Sequence, residues 1–444
     1  MPRVSCPVRA AAALLCGAVL ALAPVPAGAA GPSASAPVPV PAPRGDRPVL
    51  PAGDGWASAE GGTTGGAAAD ADHVFTVRSR AELAAALNGG DPTPKVIRVA
   101  GTIDANTDDA GRPLSCADYA TDGYSLDGYL AAYHPDTWGD ADPSGPMEDA
   151  RAASAARQAA RVRLAVGSNT TIVGAGPHAR LLGASLQVKA AENVVIQGVI
   201  FEDAYDCFPQ WDPTDGAHGN WNSEYDNLVV YGSRHVWIDH NTFTDGRRPD
   251  SAQPHHFGVL YQQHDGELDI VRGADLVTAS WNVFADHDKT LMIGNSDGAG
   301  DTDRGRLRVT LHHNLFRDVT ERAPRVRFGR VDVYNNHYLT TGGRYGYSWG
   351  VGFESRLVAE ANAVTLPDAV DPANVIKSWK GTALTERNNL VNGAAVDLLA
   401  VHNAAVPDER LGDDAGWTPR LRPRVDHPRA VPYLVARHAG AGRR

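Results

Sequence analysis

His235-Val-Trp-Ile-Asp-His-Asn-Thr-Phe243, Asp275-Leu-Val-Thr-Ala-Ser-Trp-Asn-Val-Phe284 and Arg308-Val-Thr-Leu-His-His-Asn-Leu-Phe316 are three versions of one pattern. Each is a short alternating strand, an Asn, and a second short apolar piece. Three weaker copies follow at Arg330–Tyr338, Arg356–Val364 and Ala383–Val391. The Asn residues fall at 241, 282, 314, 336, 362 and 389, so their spacings are 41, 32, 22, 26 and 27. A minimum near 22 with longer intervals is one coil of a solenoid carrying insertions of variable length. Alternation at period two gives each strand one apolar face, which only stacking on a neighbouring coil can bury. An Asn at a recurrent bend can serve αL turns and stack its amide on the next coil. Hairpin signals such as Asn-Gly between strands are scarce. The expected fold is all-β, a right-handed parallel β-helix with short peripheral helices and long loops.

Working outward, Lys95–Ile103, Asn169–Gly174 and Asn193–Phe201 read as earlier coils. Ser79-Arg-Ala-Glu82 is a capping-box start for a helix ending near Asn88-Gly89, and Asp149–Arg163 is Ala/Arg-rich and helical in pattern. The stretch from Asp104 to Met147 is rich in Tyr, Asp, Gly and Pro and has no clear period. The tail after Pro407 reads as irregular chain lying along the outside of the solenoid.

Residues 1–30 have the layout of a secretory signal: Arg3 and Arg9, an apolar run from Ala10 to Ala23, then Ala27-Gly28-Ala29. The run is too short to span a bilayer. Residues 31–55 alternate Pro, Ala, Ser and Val and read as a disordered leader. Residues 56–444 are then a single β-helix domain, expected to be secreted and monomeric, with no membrane partner. Once the signal is removed, Cys116 and Cys207 remain. They either form one disulfide or stay as two thiols, and spacing does not decide between these. A net charge of −11 argues against nucleic acid. It also conflicts with an acidic ligand unless a cation and a local basic patch intervene.

Both are present in the pattern. Asp226, Asp265 and Asp269 fall at strand ends on successive coils. Three carboxylates in close range repel unless a hard cation neutralises them, and an oxygen-only donor set suits Ca²⁺. Downstream, Arg322, Arg325, Arg327 and Arg330 sit within nine residues, with Lys289 about one coil before them. Guanidinium forks match carboxylates, so a groove with Ca²⁺ and several Arg could hold a chain of uronates.

With these residues in place the chain resembles the pectate lyases of polysaccharide lyase family 1. The likeness runs from Trp56-Ala-Ser-Ala-Glu-Gly-Gly-Thr-Thr-Gly-Gly66 through Trp221-Asn-Ser-Glu-Tyr-Asp-Asn227, Trp237-Ile-Asp-His240 and Gln263-His-Asp-Gly266. It continues through His287-Asp-Lys289 and Arg322-Ala-Pro-Arg-Val-Arg327 to Val333-Tyr-Asn-Asn336. The resemblance implies Asp226, Asp265 and Asp269 as calcium ligands, Arg322 as the catalytic base, and Lys289 and Arg327 as substrate-holding residues. The implied reaction is β-elimination on polygalacturonate, an acidic plant cell-wall polysaccharide. His240, His312, His313 and Asp239 read as fold-stabilising, and His287 as orienting the site without reacting. Three other readings compete. Asn106-Thr-Asp-Asp109 looks like the start of a polygalacturonase site, but lies in the unpatterned insertion with no partner motif. A pectin lyase, acting on a neutral ester, would not need three aspartates. A module that only binds polysaccharide would not need both Arg322 and Lys289.

Overall fold

A computed structural model describes residues 44–443. The expected signal and most of the expected leader lie outside the described residues. Three parallel sheets run the length of the described chain as the faces of a solenoid. The rear sheet holds ten strands from Val74–Val77 to Leu384–Arg387 and contains the first half of every repeat. The side sheet holds the short second halves, such as Thr242–Thr244, Val283–Ala285 and Leu315–Arg317. The front sheet has eight strands, among them Leu228–Tyr231, Leu268–Val271, Leu291–Ile293 and Arg325–Val326. Register is set coil on coil: Val236 pairs with Val277, and Val277 with Val309. The expected parallel β-helix is the observed fold.

The repeat works because identical side chains satisfy one another. Inside the side sheet, Phe201, Phe243, Phe284, Phe316 and Tyr338 stack nearly parallel at 4.8 to 5.0 Å between ring centres. At the bend between rear and side sheets, Asn241, Asn282, Asn314, Asn336, Asn362 and Asn389 form a buried ladder. From Asn282 onward each side-chain Oδ1 accepts from the backbone N–H and the side-chain Nδ2 of the Asn one coil earlier, for example Asn282 N to Asn314 Oδ1 at 2.9 Å and Nδ2 to the same oxygen at 3.0 Å. Asn241 Oδ1 accepts from the Val199 N–H. The left-handed conformation belongs to the residue before each ladder Asn, with φ of 50° at His240, 54° at Trp281 and 54° at His313. The Asn therefore supplies the hydrogen bonds while its predecessor makes the turn.

Elements outside the repeat depart further from expectation. Residues 44–55, expected in the disordered leader, are docked: Arg98 pairs with Asp46 at 2.6 Å, and Leu50 is buried with Ala57, Val195 and Trp237. The segment that follows lies across the rear sheet, where Thr278 and Thr310 accept from the N–H groups of Ala57 and Trp56. Apolar side chains outside the strict period supplied this docking surface, which composition alone did not reveal. The helix Arg80–Leu87 is capped by Ser79 and ends at Asn88 with φ 46°. The second helix spans Pro146–Val162 and buries one face, including Arg151, Ser154 and Gln158. A helix forms at Leu398–Ala405 just before the tail, and the tail itself is not wholly irregular, since a second forms at Val431–His438. Val431, Val435 and Ala439 of the second pack on Ala363. The 104–147 insertion carries three short helices, and its Tyr129 and Tyr133 pack against Trp211, Trp221 and Tyr261. Cys116 of the insertion and Cys207 form a disulfide, with Cα atoms 5.3 Å apart.

Candidate active site

Asp265, Lys289 and Arg322 all lie in connections that lead from the side sheet into the front sheet, on three successive coils. Leu228 pairs with Leu268 and Leu268 with Leu291, which stacks these connections above one another. Asp226 precedes the first of those strands and Asp269 is the second residue of the next.

The Asp226 and Asp269 carboxylates meet at Gly266. A Cβ on Gly266 would lie 2.7 Å from Asp226 Oδ1 and 2.8 Å from Asp269 Oδ1, so no larger residue fits there without displacing a carboxylate. The Gly266 N–H donates to Asp226 Oδ1 at 2.9 Å, and the Met292 N–H donates to Asp269 Oδ1 at 3.1 Å. Burial, followed by repulsion from Asp269 and Asp265, holds the Asp226 carboxyl well above the usual carboxylate range. Burial and Asp265 push Asp269 up to about 7, against the pull of Arg322. Nearby cations pull against both shifts without cancelling them, so the pair is short of positive charge. An oxygen-only cluster around a Cβ-free turn fits a hard divalent cation, and Asp226, Asp265 and Asp269 could hold it.

Arg322 takes the left-handed conformation, φ 61°, and its Nε donates to Glu321 Oε1 at 3.0 Å. Burial works against its charge, but Glu321, Asp265 and Asp269 outweigh burial and raise its pKa. Arg327 Nε donates to Asp297 Oδ1 at 2.8 Å, and its Nη1 donates to the Gly294 carbonyl at 2.9 Å. Lys289 is half-buried, and its residue bridges the Glu321 backbone on the next coil. The basic run is divided, however. Arg325 lies over Trp379, 4.2 Å from the ring centre, while Arg330 opens a rear-sheet strand and is exposed. Arg330 is thus carried around the corner by Phe328, whose φ of 58° turns the chain there.

Sequence reasoning gave His287 an orienting role but missed the second charged layer to which it belongs. His264 Nδ1 faces Asp250 Oδ1 at 3.0 Å and its Nε2 faces Asp203 Oδ1 at 3.1 Å. Arg248 Nε donates to both Asp203 oxygens, at 3.1 and 3.0 Å. His287 stands between Asp245 and the Asp265 carbonyl. Asp245, Asp250 and His264 offer ligand atoms within 4.8 Å of one another. Arg248 pairs with Asp203, and the two imidazoles face Asp250 and Asp245, which distinguishes this layer from the aspartates above, whose pKa values stay raised. Burial opposes charge on both rings, yet Asp245 and its neighbours raise His264 to about 9 and His287 well above the ordinary histidine value. The only sequence signal was that each His stands beside a motif carboxylate, in His264-Asp265 and His287-Asp288. The Asn106–Asp109 decoy is tied up elsewhere, with Asp108 on Arg112 and Asp109 on Arg161.

The family profile described as pectate lyase matches residues 45–126 and 142–408. A pectate lyase of Bacillus subtilis strain 168 is 45% identical over 400 residues, covering 89% of this chain and 93% of its own length. Pectate lyase E of Dickeya dadantii is 37% identical over 372 residues, covering 80% of this chain and 81% of its own. Among solved structures, a pectate lyase bound to a hexasaccharide superposes with a TM-score of 0.86 at 43% identity, covering 90% of this chain and 99% of that one. A fold, a carboxylate cluster facing arginines, and relatives that align over most of both chains converge on one assignment. The chain belongs to the pectate lyase family and is a polysaccharide lyase.

Proposed function

We propose that the protein is a secreted, monomeric, calcium-dependent pectate lyase acting on polygalacturonate. Asp226, Asp265 and Asp269 are its calcium ligands, Arg322 its base, and Lys289 and Arg327 its substrate-holding cations. The observation that supports this most is the meeting of buried carboxylates, their pKa values raised, at Gly266 two coils from Arg322. Bound Ca²⁺ would draw electron density from a uronate carboxylate and acidify the proton on carbon five. Lys289 and Arg327 would hold that carboxylate and stabilise the charge developing on it. Arg322 would take the carbon-five proton as its C–H electron pair becomes the new C4–C5 double bond. The bond from carbon four to the glycosidic oxygen breaks, and that oxygen leaves with the electron pair and is protonated by solvent. Arginine is a base only when neutral, and its reference pKa lies above about 12. Of the carboxylates that raise Arg322, Asp265 and Asp269 would be neutralised by the cation they bind, Glu321 keeps its ion pair, and alkaline pH supplies the rest. Export is supported by the disulfide between Cys116 and Cys207. Among the described residues no helix is long and apolar enough to cross a membrane.

Ultraviolet absorbance of unsaturated product from polygalacturonate, with and without chelator, tests the reading. Calcium-dependent absorbance that rises into alkaline buffer is expected. Reducing ends without absorbance would mean a hydrolase, absorbance on methylated pectin without calcium a pectin lyase, and silence a binding module. A rate peaking near neutrality would remove Arg322 from the role of base.

A further inference from the structure

The two halves of the candidate site are joined through one short connection, residues 286–290. His287 is buried, 4% exposed, at the start of the connection that carries Lys289. Its Nδ1 lies 2.7 Å from Asp245 Oδ1 and its Nε2 lies 2.7 Å from the backbone carbonyl of Asp265. A carboxylate and a carbonyl can only accept, so both ring nitrogens donate. The carbonyl it grips belongs to the Asp265-Gly266 turn, which donates in its turn to Asp226. The main chain around His287 reaches the other way. Its carbonyl accepts from the Thr320 N–H at 2.9 Å, and the Asp288 carbonyl accepts from the Glu321 N–H at 2.9 Å. Three residues beyond Asp288, the Leu291 N–H donates to the Arg322 carbonyl at 2.7 Å. The connection thus holds the carboxylate turn by the His287 ring and the arginine turn by its backbone from His287 to Leu291.

We propose that His287, oriented by Asp245, is a positioning residue that sets the Asp265 turn against the Arg322 turn. The proposal rests on the calcium lyase reading above. It assigns His287 no proton transfer and no contact with substrate. Outer hydrogen bonds of this kind fix ligands in place, and losing one typically costs about ten- to a hundredfold in metal affinity. A purely structural histidine would instead lower stability and leave calcium affinity intact.

Two substitutions separate the bonds. In His287→Gln the side-chain nitrogen reaches about as far as Nε2, keeping a donor for the Asp265 carbonyl and losing Asp245. In His287→Asn it reaches only as far as Nδ1, which keeps Asp245 and loses Asp265. Calorimetric titration with calcium alone, on the full chain, is expected to rank wild type, then Gln, then Asn. The Asn variant should be weaker than wild type by about tenfold or more. In the lyase assay it should lose kcat, while KM for polygalacturonate at saturating calcium stays within about twofold. Equal calcium affinity in all three proteins would overturn the proposal, as would a loss of melting temperature with affinity unchanged. Where the Asn variant does not fold, hydrogen exchange over residues 264–269 in His287→Gln and Asp245→Asn decides. Faster exchange with weaker calcium binding supports the joint, and unchanged exchange refutes it. A wild-type chain that binds calcium but yields no unsaturated product sinks the lyase reading and leaves the positioning role to be judged by calorimetry.

Discussion

Two stacks of polar side chains climb this solenoid, and they solve the same problem in opposite ways. The Asn ladder from Asn241 to Asn389 repeats one neutral amide, and each member supplies what the next lacks. Asp226, Asp265 and Asp269 repeat one charge, and each member raises the cost of its neighbour. Stacking identical groups stabilises a fold when the group is both donor and acceptor. It creates a demand for something from outside when the group is only an acceptor. The first stack holds the coils together, and the second leaves them short of positive charge.

The contrast breaks if substitutions in the two stacks have similar effects. Arg322→Ala, beside the charged stack, should lower kcat by about two to four orders of magnitude, with a melting curve close to wild type. Asn314→Ala should do the reverse. It strands the Asn282 N–H, takes one of two acceptors from Asn282 Nδ2 and a donor from the Ala279 carbonyl, and leaves Asn336 Oδ1 only the backbone N–H of residue 314. A stability loss of about 2–4 kcal/mol in urea is expected from buried groups left unpaired, with kcat of the folded protein within about twofold. A large kcat loss in Asn314→Ala without destabilisation would erase the distinction. The smallest effect sharpens the comparison through pH. Asp226 and Asp269 have folded pKa values above the ordinary 3.8, with Asp269 at about 7. The folded state therefore keeps protons that the unfolded chain has released. Chelated protein should lose stability as pH rises from near 4 to near 7, and calcium should restore it. The calcium-induced rise in melting temperature should be larger at pH 8 than at pH 5, since below pH 7 each displaced proton costs about tenfold in affinity per pH unit. An equal rise at both would mean that calcium, if it binds, displaces no proton.

How much was legible follows the same line. The coils could be read because a period makes each residue's partner the same residue one turn later. The aspartates, Lys289 and Arg322 could be placed on one side because strand register carries them there. Asp203, Asp245 and Asp250 could not, because each finds its partner across an insertion of irregular length: His287 meets Asp245 across 42 residues and His264 meets Asp203 across 61. The pairing of Cys116 with Cys207 was undecidable for that reason too. The docking of residues 44–55 and the helix at Val431–His438 rest on surface apolar contacts with no repeat to announce them. Arg330 was grouped with the site by proximity in sequence, and the turn at Phe328 separates them.

The tail's path has a consequence for how the chain is made. Arg422 clamps Asp332 and Glu360 on neighbouring coils, the Trp417 indole N–H donates to the Arg356 carbonyl, and the Gly440 N–H donates to the Trp281 carbonyl. A bare repeat array can grow coil by coil as it emerges from a ribosome or a translocon. Here coils synthesised midway wait for residues added near the end to seal their outer face. Assembly is therefore completed only once residues 417–440 have been made, and the finished solenoid should unfold as one cooperative unit, without fraying turn by turn.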